Sequence, residues 1–137
     1  MESDNKIITQ AASEYVYDLM KDKLPGIYVY HNFKHTSEVV DAIKKIGNKS
    51  DLSEDDLEIV TLAGWFHDSG FTQKYENHED VSIEIAKNFL KENNYSEEKI
   101  EKVVNCINAT RFPQDPKNLL EEIICDADLF HLGTKDY

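Results

Sequence analysis

The apolar residues of this chain recur every three or four positions, and no stretch alternates strictly between apolar and polar residues. This spacing is typical of amphipathic α-helices and not of half-buried strands. We therefore expect an all-α fold, a single-domain bundle of about six helices formed by residues 1–137. The predicted helices cover about residues 6–23, 33–47, 53–70, 77–93, 96–110 and 118–132.

Residues that favour helix ends mark several of these boundaries. Ser53 and Ser96 suit N-cap positions, and Asn77 is predicted to cap the fourth helix. The aromatic stretch of residues 27–33 is expected to be a short extended piece or a loop. His31 would then lie in a loop, at the surface or just behind a binding site.

Composition and charge narrow the classes of function. A length of 137 residues suits one domain. The chain has 27 acidic and 15 basic residues, a net charge of -12 and no basic block. This balance argues against a partner that is a nucleic-acid polymer or an anionic membrane. A small anionic substrate is still allowed, because a bound metal ion can reverse the local field.

The N-terminal segment, the length of the apolar runs and the cysteines indicate the cellular compartment. No apolar segment near the N-terminus resembles a secretory signal, and no apolar run reaches the ~20 residues that span a bilayer. Cys106 and Cys125 lie on apolar helix faces and are expected to be buried, inert thiols. We therefore expect a protein of the reducing cytoplasm. The chain stops soon after the sixth helix, and its sequence leaves open whether that end is natural or a truncation.

His67 and Asp68 stand side by side at the end of an otherwise apolar helix. Burying a carboxylate without a partner is costly, so Asp68 would need a neutralising partner there. A divalent metal ion is one such partner, because neutral imidazole and carboxylate both bind it. The pair by itself favours a plainer interpretation, a helix end with a partly exposed histidine, because His-Asp pairs are common by chance.

Two further segments carry the same kinds of side chain. His35 lies one turn before Val39 and leads the apolar stripe of the second helix, so it is either a satisfied core histidine or an inward-facing ligand. Asp126 and Asp128 interrupt the most apolar helix and flank its stripe on opposite sides. Periodicity does not choose between these two residues, and surface exposure of both is the plain alternative.

Together these segments resemble the HD superfamily of metal-dependent phosphohydrolases, over about residues 28–134. The resemblance rests on the histidine before Val39-Val40, the His-Asp pair and the Asp-Ala-Asp-Leu of residues 126–129. It implies a divalent ion, Mn, Fe, Co, Ni, Zn or Mg, with Asp126 orienting a ligand histidine or water. The four implied ligands are His35, His67, Asp68 and Asp128.

The resemblance also implies catalytic roles. Asp68 or another carboxylate would accept a proton from the metal-activated water. A histidine near position 78 binds a second metal ion or the substrate phosphate in some members, so His78 is a candidate for that role. Arg111 is the best candidate for a phosphate contact, ahead of Lys34 and Lys74. The plainer interpretation of His78 is a residue that merely starts a helix, and that of Arg111, Lys34 and Lys74 is a solvated charge.

Three departures from the family pattern refine these expectations. Residues 108–110 lack the histidine found in members with two metals, which indicates one firmly held ion. Phe71 and Thr72 stand where some nucleotidases carry an acid. Leu129 stands where relatives that bind triphosphates carry a basic residue, which favours a single phosphate ester.

The expected function is therefore hydrolysis of a small phosphate ester by a metal-activated water. A nucleotide or related metabolite as substrate is implied by the family alone. A catalytically weak metal-binding module for sensing or partner binding is the alternative, supported by the missing acid at Phe71 and Thr72. A di-iron oxygenase ranks lower, because it needs more histidine ligands than His78 supplies.

Overall fold

The computed structural model describes residues 2–73, 76–111 and 113–134, with side chains from residue 8 to residue 129. Six α-helices and one short 3-10 helix follow one another, and no strand occurs in these ranges, which confirms the all-α prediction. The helices are α1 (Glu2–Lys23), α2 (Gly26–Lys49), α3 (Glu54–Phe66), α4 (His78–Glu92), α5 (Glu97–Ala109) and α6 (Leu119–Thr134), and the 3-10 helix is Ser69–Thr72.

The structure contradicts the loop or extended piece expected for residues 27–33, which form the first turns of α2. Pro25 precedes the helix, and its carbonyl accepts hydrogen bonds from the N–H groups of Tyr28 and Val29, at 2.9 and 3.1 Å. Burial of Val29 extends the apolar face of α2 towards this end. The aromatic composition misled the prediction, because such residues are also common in strands. His31 therefore lies on a helix, where it is exposed.

All three predicted helix starts are confirmed, and two of the three residues cap their helix with a side-chain hydrogen bond. Ser53 accepts a hydrogen bond from the N–H of Asp56 at 3.1 Å, and Ser96 accepts one from Lys99 at 3.2 Å. Asn77 does precede α4, but its side chain makes no capping hydrogen bond, so the capping role is wrong. Its backbone has φ 56° and ψ 33°, a left-handed conformation that asparagine tolerates better than most residues.

Most residues of α3 are buried, and this helix contacts α1, α2, α4, α5 and α6. Its apolar residues lie in the one core shared by all six helices. The sequence predicted this helix to run to about residue 70, whereas it ends at Phe66 and the 3-10 helix follows. The side chains of His67 and Ser69, which follow Phe66, are buried. In the part of the chain that is described, no helix is both long and apolar enough to cross a bilayer.

Candidate metal centre

Four side chains from three helical regions meet where α3 ends. They form the His–Asp cluster, which consists of His35 on α2, His67 and Asp68 after α3, and Asp128 on α6. Packing of α2 against α6 and of both against α3 brings these regions together. The structure thus places all four predicted ligands side by side.

Distances within the cluster suit a shared cation. Ligand atoms of His35, His67 and Asp128 all lie within 4.8 Å of one another. Oδ2 of Asp68 lies 3.3 Å from Nε2 of His35 and 3.2 Å from Nε2 of His67. Oδ1 of Asp128 lies 3.8 and 3.7 Å from the same two nitrogens. Ligand atoms bound about 2.0–2.2 Å from one ion are themselves roughly 3–4 Å apart, so the spacing fits coordination.

His67 is the most informative member of the cluster. Its Nδ1 lies 2.7 Å from the carbonyl oxygen of Gly64, and because a carbonyl only accepts, Nδ1 carries the hydrogen. Nε2 is buried and makes no hydrogen bond within the described part of the chain, although two carboxylates lie near it. A histidine that donates one ring N–H to a backbone carbonyl and offers the other nitrogen is typical of metal ligands.

The charges of the cluster also favour a cation. Burial alone would lower the pKa of His67, but the carboxylates of Asp68 and Asp128 outweigh it and hold that pKa well above its ordinary value. Burial alone would raise the pKa of Asp68, but His67, together with His35 and His78, holds it well below the usual range. The site therefore attracts positive charge at Nε2 of His67, either a proton or a metal ion.

His78 adjoins the cluster without belonging to it. Its Nε2 lies 3.0 Å from Oδ1 of Asp68, and its Nδ1 lies 3.6 Å from Oε2 of Glu79. The ring of Phe71 stacks on the imidazole, with centroids 3.7 Å apart and planes 15° from parallel. Phe71, which occupies a position where some nucleotidases of the family carry an acid, therefore contacts His78 beside the cluster.

Arg111 is linked to His78 indirectly, by ion pairs with carboxylates on α4. Its guanidinium forms ion pairs with Asp80 and with Glu79, the latter at 3.7 Å. Glu79 in turn contacts His78. The phosphate contact predicted for Arg111 stays a prediction, and forming it would require the guanidinium to share or leave these carboxylates.

The remaining candidates lie apart from the cluster or outside the described residues. Lys34 is exposed and pairs with Glu38 on the same helix at 3.5 Å. Asp126 is exposed on α6, whereas Asp128 is largely buried in the cluster. The exposed position of Asp126 does not support its predicted role in orienting a ligand. Lys74 lies outside the residues that the structure describes.

Sequence reasoning missed two side chains that touch this region. Glu79 bridges His78 and Arg111, as described above. Gln114, in the turn between α5 and α6, points its Nε2 towards Oδ2 of Asp128 at 3.5 Å. Neither residue carried a signal, because acidic residues are abundant in this chain and a glutamine in a proline-rich turn is usually solvated.

Comparison with known proteins agrees with this geometry. The sequence model of the HD domain matches residues 32–133, which are most of the chain and contain the whole His–Asp cluster. The match runs from the first half of α2 into the last turns of α6. No curated protein and no solved structure matches the chain.

Proposed function

This chain belongs to the HD domain family, and we propose that it is a metal-dependent phosphohydrolase that cleaves a small phosphate ester. In this proposal His35, His67, Asp68 and Asp128 hold one divalent ion. The single observation that carries it is the buried Nε2 of His67, which has no hydrogen-bond partner in the described residues and faces two carboxylates. Family membership adds the class of reaction.

The residues present fit a divalent ion. Two neutral imidazoles and two carboxylates give the ion and its ligands a net charge near zero, and the mixed nitrogen and oxygen set suits Mn, Fe, Co, Ni, Zn or Mg. Such an ion, when bound, lowers the pKa of a coordinated water towards ~7 and polarises a phosphoryl oxygen. His67 is held ready for coordination by its hydrogen bond to Gly64.

Asp68 has one oxygen towards the histidine ligands and the other towards His78. Its low pKa keeps it ionised, which suits a ligand better than a base, so the proton transfer predicted for Asp68 is secondary in this proposal. Nε2 of His78 lies 3.0 Å from Oδ1 of Asp68. In this proposal His78 shares or releases that contact to stabilise charge on the transferred phosphoryl group or to protonate the departing oxygen.

The proposed substrate is a nucleotide or related metabolite that presents one phosphate ester. The class comes from the family. The limit to one phosphate is supported by the few cationic side chains that the described residues place at the site, where Leu129 follows Asp128 and Arg111 is already paired with Glu79 and Asp80. A triphosphate would require more positive charge than these residues offer.

A second candidate function is a metal-binding module with weak catalysis, used for sensing or for binding a partner. The stacking of Phe71 on His78 favours it, because an aromatic ring fills space where some relatives place an acid. A panel of phosphomonoesters, nucleotides and cyclic dinucleotides with added Mn²⁺ or Co²⁺ separates the two functions. Turnover of any of them supports the hydrolase, and metal binding without turnover supports the module.

Metal analysis with matched variants tests the ligand set. We expect about one ion per chain for the parent protein, and a large loss of bound metal for His67→Ala and Asp128→Asn. Asp126→Asn is the control, because it makes the same chemical change two residues away on an exposed position. The proposal fails if His67→Ala and Asp68→Ala retain as much metal as the parent.

A further inference from the structure

We propose that Ser82 is a positioning residue, whose hydroxyl holds the turn carrying His67 and Asp68 in the geometry that metal binding requires. This inference rests on the proposed function. Ser82 lies on α4 and is fully buried. Its Oγ donates a hydrogen bond to the carbonyl oxygen of His67 at 2.9 Å and accepts one from the N–H of Gly70 at 2.8 Å.

These two bonds fix both ends of one short turn. The helical path of α3 ends at this point, and Asp68 adopts φ -108° and ψ 5°. A carbonyl near the end of a helix has no N–H partner within that helix, so the carbonyl of His67 requires one from elsewhere. Ser82 provides it and at the same time accepts from Gly70, three residues further on. One side chain on another helix thereby bonds the backbone on both sides of Asp68.

Gly70 shows how closely the turn approaches α4. A Cβ atom at this position would lie 2.0 Å from the carbonyl oxygen of His78 and 2.8 Å from Oγ of Ser82. Only glycine can occupy such a contact without displacing the backbone. The first two turns of α4 therefore carry both His78, which contacts Asp68, and the hydroxyl of Ser82, which bonds the backbone beside Asp68.

Loss of this hydroxyl has a specific consequence. In Ser82→Ala the carbonyl of His67 and the N–H of Gly70 would both lose their partner in a buried place, so the turn would relax. The ligand atoms of His67 and Asp68 would then move relative to His35 and Asp128. Removal of groups that orient metal ligands typically reduces metal affinity by about 10–100-fold.

Titration with Co²⁺ tests the proposal, because its visible absorption reports the coordination geometry as well as the affinity. We expect Ser82→Ala to be folded by circular dichroism, to bind Co²⁺ about 10–100-fold more weakly than the parent, and to show an altered spectrum. A folded Ser82→Ala with the parent affinity and spectrum would overturn the proposal. If the parent itself binds no Co²⁺, the proposed function fails instead.

Two further variants keep the test decisive. Ser96→Ala removes a capping hydroxyl at the opposite end of α5 from Arg111, so it should lower stability and leave the Co²⁺ spectrum unchanged. An equal change in Ser96→Ala would assign the effect to stability alone and contradict a positioning role. If Ser82→Ala does not fold, Ser82→Gly also removes the hydroxyl without adding a metal-binding group, and parent-like Co²⁺ affinity and spectrum in that folded variant also contradict the proposal.

Discussion

Nε2 of His78 lies 3.0 Å from Oδ1 of Asp68 and so joins the start of α4 to the end of α3. Asp68 uses its other oxygen, Oδ2, to contact His35 and His67. The carboxylate therefore separates the proposed metal position from His78. Loss of His78 should therefore affect turnover but not metal content, whereas loss of a proposed ligand should affect both.

We expect His78→Gln to lower turnover by about 10²- to 10³-fold while metal content stays near that of the parent, because His78 contacts a ligand without being one. Steady-state kinetics on the best substrate, with metal analysis of the same sample, measures both quantities. His31→Gln is the control, since it makes the same change on an exposed position of α2. Parallel losses of metal and of turnover would instead make His78 a ligand.

The stability of the metal-free protein should depend on pH through His67 and Asp68. The raised pKa of His67 gives a stabilisation that is complete below its ordinary pKa of about 6.5 and is lost as the pH rises through the folded value. The lowered pKa of Asp68 gives one that is complete above about pH 4 and is lost as the pH falls through the folded value. Urea unfolding with a chelator present should therefore show the largest contribution from this pair between about pH 4 and 6.5. Asp68→Asn should flatten this profile, and an unchanged profile would contradict the coupling.

Metal affinity should rise with pH, whereas the contribution of His67 to the stability of the metal-free protein falls with pH. The proton favoured at Nε2 of His67 competes with the metal ion, so the apparent affinity should fall as the solution is acidified. Calorimetry in buffers of different ionisation enthalpy should detect protons released when Mn²⁺ or Co²⁺ binds near neutral pH. Binding without proton release, and with the same affinity from pH 6 to pH 8 or so, would place the ion elsewhere.

The two cysteines should be unreactive in the folded protein. Burial raises the pKa of Cys106 to about 12 and that of Cys125 to about 11, and neither side chain is accessible. Because the thiolate is the reactive form, an aromatic disulfide reagent at neutral pH should label neither residue on a timescale of minutes. Two thiols should react after denaturation. Rapid labelling of the native protein would show that α5 and α6 separate readily.

Asn77 should be replaceable by glycine but not by alanine. Its left-handed backbone, with φ 56°, costs an ordinary side chain about 1–2 kcal/mol, so Asn77→Ala should lower the free energy of unfolding by about 1 kcal/mol. Asn77→Gly should be close to neutral, because glycine adopts this conformation freely. Urea denaturation of both variants measures the difference. Equal stability of the two variants would show that the chain before α4 adjusts to a different conformation.

Local sequence patterns predicted much of the fold. Ser53 and Ser96 mark helix starts because a hydroxyl satisfies N–H groups only a few residues away. The same kind of reasoning failed for residues 27–33, where aromatic side chains suit a helix or a strand and the contacts of α2 decide. The resemblance to the HD superfamily is confirmed by the family match, whereas the ligand roles of individual residues stay predictions.

Local patterns predicted most of the helices and their apolar faces, because helix periodicity depends on neighbours within a few positions, but they missed the first turns of α2 and the end of α3. Local patterns also located His67 and Asp68 at the end of an apolar helix, but the pair alone favoured a plain helix end with a partly exposed histidine, whereas His67 is buried. Periodicity left Asp126 and Asp128 as alternatives, and the family resemblance favoured Asp128. The packing of α6 on α2 and α3 buries Asp128 in the cluster and leaves Asp126 exposed. The contact between His78 and Asp68 and the bonds made by Ser82 were likewise decided by packing, because distances between helices depend on how all six fit around one core.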